Sequence, residues 1–210
     1  TGLDVGNGPW GLARFGATVY VTTQDRTLVA IDASVPAAPV IAGSIELPLA
    51  CHDLAAAGEY LVAIAEAGGV CAVKVGDPAA PILPTGAAAA LGHVAISPPA
   101  GAMAVAGTLA YVCGQQITAI DASNPDAPAV LGAAPSQMIA PVTAAVAGAV
   151  LVVGGLGFTG LAISTYDVST PAAPVLLGSL PATWFNLIPI DDETVEIGRA
   201  SCRERVSVVV

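Results

Sequence analysis

Four short apolar runs recur along the chain, each opened by a glycine: GATVYVTT from Gly16, GEYLVAIA from Gly58, GTLAYVCG from Gly107 and GAVLVVGG from Gly148. A small apolar run such as AMAVA or TAAVA precedes the glycine, and a third run follows after a turn. A fourth closes the unit, as in APVIAGSI, APAVLGAA and APVLLGSL. The runs are short, rich in β-branched residues and separated by Gly and Pro, which is the pattern of strands and not of helices. Each unit therefore predicts four strands joined by tight turns.

Between the third and fourth runs stands a proline phrase. Its copies are IDASVPAAP from Ile31, VKVGDPAAP from Val73, IDASNPDAP from Ile120 and YDVSTPAAP from Tyr166. The leading prolines, Pro36, Pro78, Pro125 and Pro171, are spaced by 42, 47 and 46 residues, and a second proline follows each at Pro39, Pro81, Pro128 and Pro174. Proline fixes φ and removes a backbone donor, so it stops one strand and sets the crossing to the next. An Asp or Ser before it bonds nearby backbone, which makes Asp32, Asp121 and Asp167 turn formers.

Four strands per unit at a period in the forties is the pattern of a β-propeller blade. A four-stranded blade is too thin to bury both faces alone and needs neighbours stacked on each side. The expected fold is all-β, a β-propeller fragment of four four-stranded antiparallel blades plus a truncated fifth, forming an open arc. The blades are expected at about 11–47, 48–97, 98–139 and 140–182, with a stub at 183–195. Missing blades of the same chain would be needed for closure.

AYVCGQQITAIDASNPDAPAVLG, LAISTYDVSTPAAPVLLG and CHDLAAAGEYLVAIA resemble the repeat of the LVIVD family of β-propeller proteins. The resemblance covers about Gly11 to Leu180. The second copy departs at its corner, where Gly76 replaces Ser, and the fourth carries GGLGFTG as an insertion between its second and third strands. The resemblance implies a bacterial protein that is secreted or at the cell surface. It implies no reaction.

Composition narrows the partners. The net charge is −10 and only 10% of residues are charged. An acidic surface repels phosphate backbones, so nucleic acid is not an expected partner. Pro141 to Ile163 is apolar enough to suggest a spanning helix, but Gly148, Gly154, Gly155, Gly157 and Gly160 interrupt it and its Val and Ile favour strands, so no membrane span is expected. Cys51, Cys71, Cys113 and Cys202 contain no CxxC pair and have no histidine at ligand spacing, so zinc is not expected. They read as buried thiols. No basic region followed by an apolar run opens the chain, so no signal peptide is read from it.

The last residues, EIGRASCRERVSVVV, hold three of the six basic residues and break the pattern. They resemble a translated sequencing adapter, so 196–210 is read as a non-native tail.

No nucleophile or phosphate-binding motif is present: there is no G-x-S-x-G, no P-loop and no H-E-x-x-H. No catalytic residue, metal ligand or cofactor is assigned. Asp191, Asp192 and Glu193 read as a hairpin turn, and Trp10 and Trp184 as packing between blades. His52 and Asp53 fall where the resemblance implies a His-Asp at the start of an innermost strand. Strand alternation places adjacent side chains on opposite faces, so the two are not expected to form a dyad. His93 reads as a residue of the connection before the third copy.

Two function classes remain. One is a non-catalytic scaffold that binds a protein, glycan or small ligand at the rim where innermost strands begin, with Arg14, His52, Asp53 and His93 as candidate contacts. The other is a lactonase-like propeller hydrolase whose catalytic blades lie outside this chain. The innermost strands offer only Arg14 and Asp53 as charged groups, which favours binding.

Overall fold

In the computed structural model the described residues are 3–47, 49–57, 60–65, 69–75, 92–94, 100–124, 127–182, 186–191, 194–198 and 205–209. Every regular element among them is a strand, and none is a helix long and apolar enough to cross a membrane. The chain divides into two compact units, 1–96 with 122–129, and 97–121 with 130–210.

The first unit holds two four-stranded antiparallel sheets. One is β1 (Pro9–Phe15), β2 (Thr18–Thr23), β3 (Thr27–Asp32) and β4 (Val40–Glu46). The other is β5 (Cys51–Ala57), β6 (Tyr60–Ala65), β7 (Gly69–Lys74) and β8 (Gly92–Val94). Both are simple meanders in which sequence neighbours pair. The sheets bury their facing sides together: Tyr20, Leu28 and Ala30 from the first pack with Leu54, Leu61 and Val73 from the second. Val21, Val29 and Ile31 on the other face of the first sheet are covered in part by Val5. Burial on both faces explains why β2 and β3 carry no charged residue before Asp32.

The second unit repeats the design with β9 (Ala102–Ala106), β10 (Leu109–Cys113), β11 (Gln116–Asp121) and β12 (Ala129–Pro135), then β13 (Met138–Ala147), β14 (Val150–Gly157), β15 (Gly160–Asp167) and β16 (Val175–Pro181). Tyr111, Ile117, Met138, Leu151 and Tyr166 form its core. The apolar stretch 141–163 is the β13–β14–β15 meander. The GGLGFTG insertion adds no loop; it lengthens β14 and β15, which stay in register out to Gly157 and Gly160. A three-stranded sheet follows, β17 (Asn186–Asp191), β18 (Thr194–Gly198) and β19 (Arg205–Val209). Its last strand comes from the adapter-like segment, whose RVSVV has the β-branched period-two pattern that pairs with an open strand edge.

The turns explain the repeated residues. β1–β2, β9–β10 and β13–β14 are two-residue hairpins. Gly16, Gly107 and Gly148 take φ of 61°, 59° and 53° there. Such turns match the strand twist only with positive φ, which glycine adopts without strain. At the corners, Ala38 N donates to Val35 O at 2.9 Å, Ala127 N to Asn124 O at 3.1 Å and Ala173 N to Thr170 O at 2.9 Å. In the first and the last of these a proline stands second in a β-turn, the place its fixed φ suits. Asp32 and Asp167 each accept the backbone N–H two residues on, from Ser34 and Ser169, at 2.8 Å. They are the turn formers that their position suggested. Pro78, Pro81 and Pro125 lie outside the described residues.

Candidate functional site

Within the first unit β1 and β5 run side by side, and their leading ends carry the site. They approach closely at Gly11. A Cβ there would stand 3.1 Å from Asp53 Cα and 2.8 Å from Thr22 Oγ1, and Gly11 N donates to that hydroxyl at 2.9 Å. The approach sets Trp10 of β1 beside His52 of β5, their rings edge to face at 6.5 Å between centroids and 83° between planes. Trp10 is 39% exposed and Leu12, two residues on, 66% exposed. His52 is half-buried.

Both strands are irregular at this point. The β1–β2 register shifts between Pro9 and Leu12, and the β5–β6 register between Cys51 and Asp53. The second shift falls at the His52–Asp53 pair, and both residues are half-buried, between buried Cys51 and buried Leu54. Asp53 Oδ1 accepts Leu54 N at 2.9 Å.

The other candidates lie apart. Arg14 sits near the far end of β1, four residues beyond Trp10 and so roughly 13 Å along the strand. Its Nε donates to Gly16 O at 2.8 Å, which ties it to the hairpin. His93 is not in a connection. It lies on β8, the outermost strand of the second sheet, with its backbone in register with Cys71. Three strand spacings, roughly 14 Å, separate it from β5. Trp184 is outside the described residues. The structure thus brings His52 beside Trp10, which the sequence marked only as packing. One signal was available: Trp10 and His52 each stand six residues before a run-opening glycine, Gly16 and Gly58, and the same count reaches Gly101 and Val142.

An open cleft of about 360 Å³ lies between the N-terminal segment and β3–β4, lined by Asp4, Asp25, Thr27, Val29 and Ile41 among others. Its carboxylates are committed to turns: Asp4 Oδ1 accepts Gly6 N at 3.0 Å, and Asp25 takes the Thr23 hydroxyl, which holds its pKa below the usual range. Among the described residues no three His, Cys, Asp or Glu side chains are placed to share a metal ion. Cys51, Cys71 and Cys113 are buried thiols. A hydrogen bond with Cys71, and burial, hold the Cys51 thiol well above its ordinary pKa.

The LVIVD repeat model matches residues 12–46 and 99–134, which span most of the first and third sheets and their corners. The chain carries LVIVD repeats. The second unit of the repeat, with Gly76 in its corner, and the fourth, with lengthened strands, fall outside the matched residues. No curated protein matches in sequence. Among solved structures, a functionally unknown protein from Desulfotomaculum acetoxidans DSM 771 aligns over 93% of this chain at 15% identity, with a TM-score of 0.73. Sqt1 of Saccharomyces cerevisiae aligns over 91% at 10% identity and 0.68. The Cps50 (Swd1) beta-propeller domain of Myceliophteria thermophila aligns over 96% at 12% identity and 0.62. The chain covers 64%, 56% and 68% of these three, so it spans less than two thirds of the first two. The LVIVD units are blades, and the chain is a β-propeller fragment.

Proposed function

We propose that this LVIVD chain is a non-catalytic binding scaffold that takes a protein partner at the rim where β1 and β5 begin. The observation that carries the reading is the Trp10–His52 pair. It presents a part-exposed indole, braced by a neighbouring blade, beside the exposed Leu12. A rigid, part-exposed Trp with an apolar neighbour and a polar ring beside it is the composition of an interface anchor, because it offers much contact area for little lost entropy. A glycan or small ligand would use the same indole face by stacking. The family resemblance adds the proposal that this contact is made outside the cytoplasm of a bacterial cell.

The experiment is site-specific photo-cross-linking from position 12 of the protein in its native cell, with fractionation to locate the product. A protein adduct that disappears in Trp10→Ala/His52→Ala but persists in Arg14→Ala supports the reading, provided melting is unchanged. An adduct equally strong in the double variant places the contact elsewhere. If no protein adduct forms but Trp10 fluorescence responds to a glycan panel, the partner is a sugar.

A further inference from the structure

The chain holds three asparagines, Asn7, Asn124 and Asn186. They differ in the backbone nitrogen that follows, the group able to attack the side-chain amide. Asn124 precedes Pro125, whose nitrogen has no proton to give up and cannot become the nucleophile. Asn186 precedes Leu187 and stands on β17, in register with Gly198 of β18, a pairing that holds its backbone extended. Asn7 precedes Gly8, which has no side chain to crowd the approach. Gly8 takes φ of 59°, and among the described residues its N–H donates no hydrogen bond. Asn7 is exposed.

We propose that the Asn7–Gly8 junction is a modification site at which the chain deamidates itself, and that the lengthened product releases the lead-in of β1 from the turn between β2 and β3. The deprotonated Gly8 nitrogen attacks Asn7 Cγ. The N–Cγ bond forms, the Cγ–Nδ2 bond breaks, and Nδ2 leaves as ammonia with the proton that Gly8 gave up. The cyclic imide then takes up water. Opening at Cγ gives aspartate in an ordinary backbone. Opening at the main-chain carbonyl carbon gives isoaspartate: Gly8 is now joined through Cγ, the backbone is longer by a methylene, and the former carbonyl is a free carboxylate. Water is consumed and ammonia released, and no oxidant or reductant is needed.

The junction is pinned by its carbonyls. Gln24 N, in the turn between β2 and β3, donates to Asn7 O and to Gly8 O, both at 3.2 Å. The Gln24 side chain backs onto Gly8, where a Cβ would stand 2.6 Å from Gln24 Cδ. In the isoaspartyl chain the Asn7 carbonyl no longer lies in the backbone, and the added methylene moves Gly8 off Gln24. Pro9 and Trp10 follow directly. The step therefore alters the rim proposed above for binding and adds negative charge to a chain already at −10, while the modification itself does not depend on that reading.

Peptide mapping of the intact protein after incubation in warm, mildly alkaline buffer tests this, with hydrogen exchange at Gln24 as the structural readout. Mapping should show Asn7 converted to a mixture of aspartate and isoaspartate while Asn124 and Asn186 stay intact. The aged protein should lose amide protection at Gln24. Asn7→Gln, whose longer side chain closes the ring far more slowly, should suppress the conversion and keep protection through the same incubation. Freshly prepared Asn7→Asp adds the charge without the methylene and should keep protection too. An Asn7 that stays intact as long as Asn124 and Asn186 overturns the proposal. So does conversion that leaves Gln24 protected, and so does loss of protection in aged Asn7→Gln or in fresh Asn7→Asp, since neither carries the longer backbone.

Discussion

Gly132 and Ala172 contend for one place. The Cβ of any other residue at 132 would lie 2.0 Å from the Ala172 carbonyl oxygen, and that oxygen belongs to backbone held in a closed turn. Gly132→Ala must therefore push two blades apart, and a loss of about 1–3 kcal/mol is expected. Gly178→Ala, at the same register with open space around it, should leave stability unchanged or raise it slightly, since Ala restricts the unfolded chain. Equal melting temperatures for the two variants would show that the corner does not seat at Gly132.

Tyr166 is fully buried, and its hydroxyl accepts the N–H of Gln137 at 2.8 Å in the connection between the third and fourth blades. Tyr166→Phe removes the acceptor and should cost about 1 kcal/mol by denaturant unfolding. The Tyr111 hydroxyl donates to Val168 O at 3.5 Å, a distance at which little is gained. Tyr111→Phe should cost less than Tyr166→Phe, and the reverse order would count against this account.

Asp167 and Asp32 have pKa values lowered by the backbone N–H groups of Ser169 and Ser34, with help from the serine hydroxyls. A carboxylate whose folded pKa is depressed stabilises fully above its unfolded value, about 4, and loses that contribution as pH falls through the folded value. Asp167→Asn keeps the acceptor oxygen but does not titrate, so its Tm should fall less steeply than that of the unaltered protein below about pH 4. Parallel Tm profiles in acid would show that the turn does not depend on the ionised form.

Cys51 and Cys113 are fully buried, and the thiolate is the reactive form. Under native conditions their peptides should stay unmodified by a thiol reagent, as mass mapping reads out, and should react once the protein is unfolded in denaturant. Prompt native labelling of Cys51 would mean that β5 opens readily.

Much of the blade was legible in the sequence, because what defines it is local. Gly16, Gly107 and Gly148 mark hairpins through their own φ, Asp32 and Asp167 close turns on residues two positions away, and Pro36 and Pro171 sit where their fixed φ fits. Such features depend on a few adjacent residues and repeat whenever those residues repeat. The tertiary structure alone decided the rest. The register shift between Cys51 and Asp53 falls at the candidate pair itself, and such a shift answers to the partner strand and the neighbouring sheet. Trp10 meets His52 only because Gly11 lets β1 approach β5, two segments some forty residues apart in sequence. Likewise nothing near Gly132 shows why it is glycine: the reason is a carbonyl from the next blade, and contacts between stacked sheets are written in neither sheet alone.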